Sequence, residues 1–289
     1  MIKLMASDMD GTLLNGDHEI GMKSIKAIKE AQKHGVEVLV ATGRSYLEAM
    51  LPLKEAGIVC PVIAVNGAEV RSAEGEQLLV KGIDDKAAKH VAEQLEELDI
   101  YFEVYTNKGT FTNDKEQGIA LLIDIFLTTN PDTPLPHVQT EANNRYDEGH
   151  ITVIKGYEEL LKDSTQTVFK FLAFSANPDL LVKAREILLK LDDLAISSSG
   201  NENLEITSSR AQKGLALEWY CANKDIAMKN VMAIGDNYND LSMMEKAGYS
   251  VAMGNAPEDI KEQCMHVTTS NREDGVAKAI QQLIMVPSR

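Results

Sequence analysis

The stretch Asp8-Met9-Asp10-Gly11-Thr12-Leu13-Leu14 decides how the rest of this chain reads. It follows Ile2-Lys3-Leu4-Met5-Ala6-Ser7, a short apolar run that predicts a buried strand. Residues two apart on an extended chain point the same way, so Asp8 and Asp10 leave the strand end on one side and Met9 on the other. Two carboxylates this close repel unless a positive charge lies between or beside them. Gly11 lets the chain leave the strand without a side-chain clash. A lone Asp-x-Asp would be no more than a strand running into an acidic turn. This one has company.

Downstream, a helix carries Ile25, Ile28 and Ala31 on one face and charged residues elsewhere, and Gly35 closes it. Val36-Glu37-Val38-Leu39-Val40-Ala41 is the next strand and delivers Thr42-Gly43-Arg44. A second helix begins after Ser45, a suitable N-cap, and Pro52 is expected to break or kink it. Val62-Ile63-Ala64-Val65 then runs into Asn66-Gly67. Short apolar strands alternating with helices predict a doubly wound parallel sheet. Ligands of such sheets bind outside the carboxyl ends of the strands, where Asp8, Thr42 and Asn66 fall.

Residues 68–81 read as a hairpin around Ala73-Glu74-Gly75-Glu76, leading away from the sheet. From 83 to 206 the pattern changes to an α+β insert. Its strands are expected at 101–105, 109–112, 151–155, 168–174, 194–198 and 203–207. Its helices are expected over Ala87 to Leu98 and at 115–127, 157–163 and 178–191, with a loop carrying Pro131, Pro134 and Pro136. The doubly wound pattern resumes with a helix at 211–222 that has Lys213 at its start. The strand Asn230-Val231-Met232-Ala233-Ile234 follows, ending in Gly235-Asp236, then a helix at 239–247, a strand at 248–252 and a last helix near 274–285. The expected organisation is a core from residues 1–82 and 207–289, with 83–206 inserted as one large module.

Composition sets the surroundings. The chain has 289 residues, 44% hydrophobic and 5% aromatic, enough for a substantial core. A formal net charge of −15 repels nucleic acid and anionic membrane, so any phosphate would be drawn by local cations. Cys60, Cys221 and Cys264 are odd in number and form no CxxC, which suits a reduced compartment. No signal peptide or membrane-length apolar run is evident, so the expectation is a soluble, cytoplasmic protein. The six histidines are isolated, without zinc spacing. No pattern in the chain specifies an oligomeric state.

Asp8-Met9-Asp10-Gly11-Thr12 resembles the nucleophile motif, DxDGT, of the haloacid dehalogenase superfamily phosphatases. Three further motifs of that superfamily recur in order: Ala41-Thr42-Gly43-Arg44, Lys213-Gly214, and Gly235-Asp236-Asn237-Tyr238-Asn239-Asp240. The long insert between the second and third is similar to the Cof-type branch. The resemblance covers the whole chain. It implies a Rossmann-like core, a cap built from the insert, and hydrolysis of small phosphorylated metabolites, commonly sugar phosphates, through an aspartyl phosphate.

The resemblance also implies roles. Asp8 would be the nucleophile and Asp10 the acid and base. Met9, Thr42, Gly43, Lys213 and Asn239 would contact the phosphate or substrate. A carboxylate approaches an anionic phosphate only where positive charge is supplied, and magnesium is the usual means. Its ligands would be Asp8, Asp236 and the Asp10 backbone carbonyl, with Asp240 supporting from behind. Asp236 could also cap the following helix, a role compatible with metal binding, and Arg44 could reach the substrate or the cap, or form a plain salt bridge. Two rival readings use the same aspartate: a phosphosugar mutase, and a phosphorylated receiver-type switch. Asp10 argues against the switch, because an acid–base group beside the nucleophile hastens hydrolysis.

Overall fold

The computed structural model describes residues 1–129, 134–147, 149–198 and 202–284. They form two compact units, one of Met1–Val80 with Ala211–Arg289 and the other of Lys81–Arg210.

The first unit begins with β1 (Leu4–Ser7), α1 (Met22–Lys33), β2 (Glu37–Ala41), α2 (Tyr46–Glu55), β3 (Val62–Ala64), β4 (Glu69–Arg71) and β5 (Gln77–Val80). The second holds α3 (Asp85–Glu97), β6 (Tyr101–Thr106), β7 (Gly109–Thr112), α4 (Lys115–Thr129), α5 (Leu135–Asp147), β8 (Ile151–Val153), α6 (Tyr157–Lys162), β9 (Val168–Phe174), α7 (Pro178–Leu188), β10 (Leu194–Ser197) and β11 (Asn203–Ser208). The chain re-enters the first unit through α8 (Lys213–Asn223), β12 (Val231–Gly235), α9 (Leu241–Met244), β13 (Tyr249–Ala252), α10 (Glu258–Glu262), β14 (His266–Val267) and α11 (Gly275–Leu283).

The eight-stranded sheet of the first unit has the order β14-β13-β12-β1-β2-β3-β4-β5. From β14 to β3 every pairing is parallel. Strands buried on both faces need unbroken apolar runs, which is why Leu4-Met5-Ala6 and Val231-Met232-Ala233-Ile234 do not alternate. Leu4, Ala6, Leu39, Ala41, Val231 and Ala233 pack on Ala216, Leu217 and Tyr220 of α8. Met5, Val38, Val40 and Ile234 point to the opposite face and are equally buried. After β1 the chain moves one way across the sheet to β2 and β3; on its later return it moves the other way, from β12 to β14. The order therefore reverses beside β1, and Ser7 lies in register with Ile234 on one side and Val40 on the other. The residues that follow these strands, Asp8, Asp236 and Thr42, emerge together at this switch point.

The second unit carries a six-stranded sheet of order β10-β11-β9-β6-β7-β8, antiparallel except for β7 with β8. Phe102, Val104, Phe171, Ala173, Leu204 and Ile206 form its core with apolar residues of α3, α6 and α7.

Several elements differ from the sequence-based expectation. The 68–81 hairpin does not lead away from the sheet: β4 pairs antiparallel with β3, so the hairpin extends the sheet edge. Pro52 does not break α2, which closes three residues later. Pro136 lies in the first turn of α5, a helix where a loop is expected; a proline there removes an N–H that has no intrahelical partner anyway. Pro131 falls outside the described residues. The short α10 and β14 are additional to the expected elements. None of the three cysteines is paired, and among the described residues no helix is long and apolar enough to cross a membrane.

Candidate active site

The site is built on one turn. The Asp8 N–H donates to Ile234 O at 2.9 Å, continuing the parallel ladder one residue past β1. Asp10 (φ −78°, ψ 125°) and Gly11 (φ 76°, ψ −5°) then form the centre of a type II turn, which requires positive φ at its third residue. Glycine is needed there twice over. A Cβ on Gly11 would lie 2.4 Å from Asp236 Oδ2, so the turn and the Asp236 carboxylate are in close contact. Met9 is fully buried beneath the turn.

Lys213, the first residue of α8, is buried between two carboxylates. Its ammonium donates to Asp8 Oδ1 at 2.6 Å and Asp240 Oδ1 at 2.7 Å. The other Asp240 oxygen accepts the N–H groups of Asp236 and Asn237, each at 3.0 Å. Oxygens of Asp8, Asp236 and Asp240 lie within 4.8 Å of one another. Three carboxylates against one ammonium leave an excess of two negative charges in a largely buried space. Burial and then Asp240 push the Asp8 carboxyl well above its ordinary range, against the pull of Lys213. Asp236 is raised too, first by burial, while the Thr12 hydroxyl works in the opposite direction. Burial alone would lower the Lys213 ammonium, but Asp240 and Asp8 more than offset it and hold it protonated.

Thr42, buried at the end of β2, accepts the Arg44 N–H on its hydroxyl oxygen at 3.1 Å, which leaves the hydroxyl proton to be donated elsewhere. Arg44 grips Asp10 through two bonds, Nε to Oδ2 at 2.8 Å and Nη2 to Oδ1 at 2.6 Å. Arg44 thus forms the salt bridge, one of the readings open for it. Gly43 lies against the side chain of Asn66, where a Cβ would come within 3.3 Å of Oδ1. Asn239 donates to the same Asn66 oxygen at 3.1 Å. Val65 (φ 48°) and Asn66 (φ 54°) both take left-handed backbone, unusual for a β-branched residue, and this turns Asn66 in beside Gly43.

Asp8, Asp236, Asp240 and Lys213 thus form one cluster, with Asp10 held beside it by Arg44, and Gly43 and Asn239 meeting at Asn66. Three polar residues join them: Asn66, which the sequence places at the ligand edge without a specific task, and Thr12 and Asn255, to which it gives none. Thr12 donates to Asp236 Oδ1 at 2.8 Å, Asn66 links two loops, and Asn255 donates to Gly11 O at 2.9 Å and Asp236 Oδ2 at 3.3 Å. Their common signal is position: each sits at or just beyond a strand's carboxyl end on the same sheet edge.

Comparison with known proteins agrees with this architecture. A model of the haloacid dehalogenase-like hydrolases matches residues 5–280. Phosphatase YwpJ of Bacillus subtilis is 35% identical over 287 residues, covering 98% of this chain and 100% of that protein. The 5-amino-6-(5-phospho-D-ribitylamino)uracil phosphatase YwtE of the same organism is 35% identical over 285 residues, 98% of each chain. A solved haloacid dehalogenase-like hydrolase from B. subtilis superposes with a TM-score of 0.87 at 34% identity, over 98% of this chain and 100% of that one. The chain belongs to the haloacid dehalogenase-like hydrolases, in their Cof-type branch. Within that family it is a phosphatase, a hydrolase of phosphoric monoesters.

Proposed function

We propose that this phosphatase is magnesium-dependent and acts on small phosphorylated metabolites, sugar phosphates or similar phosphomonoesters, through a phosphorylated Asp8. The observation that carries the reading is the Asp8–Asp236–Asp240 cluster, with its excess negative charge, at the switch point of the sheet. The donor set fits a hard cation that prefers oxygen. Asp240 already gives one oxygen to Lys213 and the other to two backbone N–H groups, so it supports the site from behind. As the family resemblance implies, Asp8, Asp236 and the carbonyl of Asp10 would hold the ion. When bound, magnesium supplies the positive charge that lets two anions meet.

The chain's own residues do the rest. An Asp8 carboxylate oxygen bonds to phosphorus as the ester P–O bond breaks, and Asp10 gives its proton to the departing alkoxide. Asp10 then takes a proton from water as the water oxygen bonds to phosphorus. The bond to Asp8 breaks, releasing inorganic phosphate and restoring the carboxylate. Both Asp10 oxygens are held by Arg44, so this role requires at least one of those bonds to open. Lys213 balances charge on Asp8, while the Thr42 hydroxyl and the Gly43 N–H hold phosphate oxygens.

Residues 83–206 select the leaving group in this scheme; a folded core lacking them that kept the ranking of substrates would contradict that role. The direct test is phosphate release across a panel of sugar phosphates, polyol phosphates and 5-amino-6-(5-phospho-D-ribitylamino)uracil, with magnesium and with chelator. Release that persists undiminished in chelator refutes the metal requirement. Isomeric sugar phosphate in place of free phosphate would make the protein a mutase.

A further inference from the structure

We propose that Asn255 is a positioning residue that sets the metal affinity of the site by locking the Asp236 carboxylate to the Asp10–Gly11 turn. This rests on the magnesium reading above.

Asn255 lies in the loop after β13, outside all four motifs. Its Nδ2 donates to Gly11 O at 2.9 Å and to Asp236 Oδ2 at 3.3 Å, and its Oδ1 accepts the Asn271 N–H at 3.0 Å. This orientation of the carboxamide is forced. The reverse would set an oxygen against a carbonyl and a carboxylate, and an NH2 against an N–H. Asn271 in turn donates from Nδ2 to Leu14 O at 2.9 Å. Two successive bonds from the C-terminal segment therefore hold the nucleophile loop near its middle and at its end.

The consequence follows from turn geometry. Types I and II differ by a flip of the central peptide, here the one joining Asp10 to Gly11. That flip reverses the Asp10 carbonyl, one of the three groups assigned to magnesium. Gly11 has the freedom to allow it, and Asn255 restrains Gly11 from the adjoining carbonyl. The same amide fixes Asp236 Oδ2 while Thr12 fixes Oδ1, so the carboxylate is set in place from both sides. Asn255 itself is exposed, so its loss leaves no cavity.

The test is isothermal titration of the substrate-free enzyme with magnesium chloride alone, for wild type, N255A and N255S; the serine hydroxyl is too short to span both acceptors. Loss of outer hydrogen bonds to metal ligands weakens metals by 10–100-fold, and the expected rise in Kd is about ten-fold in both variants. The melting temperature in chelator should fall by no more than a few degrees, the cost of the lost hydrogen bonds, and saturating magnesium should restore kcat. A Kd within about two-fold of wild type in both variants overturns the proposal. So does activity that excess magnesium fails to restore, since that marks a merely structural residue. If wild type itself binds no magnesium, the magnesium reading falls and takes this proposal with it; the wild-type titration tells the two failures apart.

Discussion

Lys213→Met is the perturbation whose effect the structure sets most narrowly. Lys213 is 1% exposed and its ammonium lies between Asp8 at 5% and Asp240 at 0%. Methionine fills much of the same space but leaves two buried carboxylates without their shared cation. Removing one partner of a buried ion pair costs about 3–5 kcal/mol. In a unit of this size each kcal/mol lowers the melting temperature by about 2–4 °C, so the expected loss is about 6–20 °C. The melt is followed by circular dichroism at neutral pH in chelator, so that bound metal does not replace the missing charge. The deficit should narrow as pH falls, because Asp8, already raised by burial and Asp240, takes a proton and no longer needs the cation. Magnesium should restore part of the loss for the same reason. A melting temperature within about 2 °C of wild type would refute the view that Lys213 holds these carboxylates together.

Asp10→Asn should slow sugar phosphates far more than a nitrophenyl phosphate, whose leaving group needs little protonation; equal losses on both would count against Asp10 as the acid. Asp8 and Asp236 are both raised, so the metal-free fold binds more protons than the unfolded chain and loses stability as pH climbs from the ordinary aspartate range through their raised values. The melting-temperature gain on adding magnesium should therefore grow with pH over that window, and a gain independent of pH would be contrary evidence. Gly11→Ala meets both a left-handed backbone and the Asp236 carboxylate, so stability should drop by about 1–2 kcal/mol. Its kcat should fall by about a hundred-fold, since displacement near 1 Å is enough for that; an alanine variant with wild-type turnover would show that the turn tolerates change.

The core is legible in the sequence because parallel strands buried on both faces leave apolar runs that stop abruptly at polar residues. Leu4–Ser7 into Asp8 and Val231–Gly235 into Asp236 are of this kind. Helix α5 is hidden for the opposite reason: Pro134, Pro136 and a polar run after Val138 carry loop chemistry, and the tolerance of a first-turn proline appears only once the helix start is known. The carboxylates that gather at the switch point are visible as residue types at strand ends, and Lys213 as a helix start, whereas Thr12 and Asn255, which also hold them, are not. Thr12 meets Asp236 across 224 positions and Asn255 meets Gly11 across 244, with no periodic pattern joining either pair. Arg44 shows the limit plainly, since a guanidinium beside a phosphate turn suits substrate or salt bridge equally until its fork is seen on Asp10.

The most direct test of Asp8 as nucleophile is to catch the phosphoryl group on it. The enzyme is mixed with its best substrate and magnesium, quenched in acid during turnover, digested, and the peptide containing Asp8 weighed by mass spectrometry. Asp10→Asn serves as a second sample, because slowing release from Asp8 should raise the trapped fraction. The expected result is the mass of one phosphoryl group on that peptide, located to Asp8 and absent from Asp8→Asn. Steady phosphate release by wild type with Asp8 unmodified in both samples would mean that water attacks the substrate directly, and would contradict the covalent mechanism.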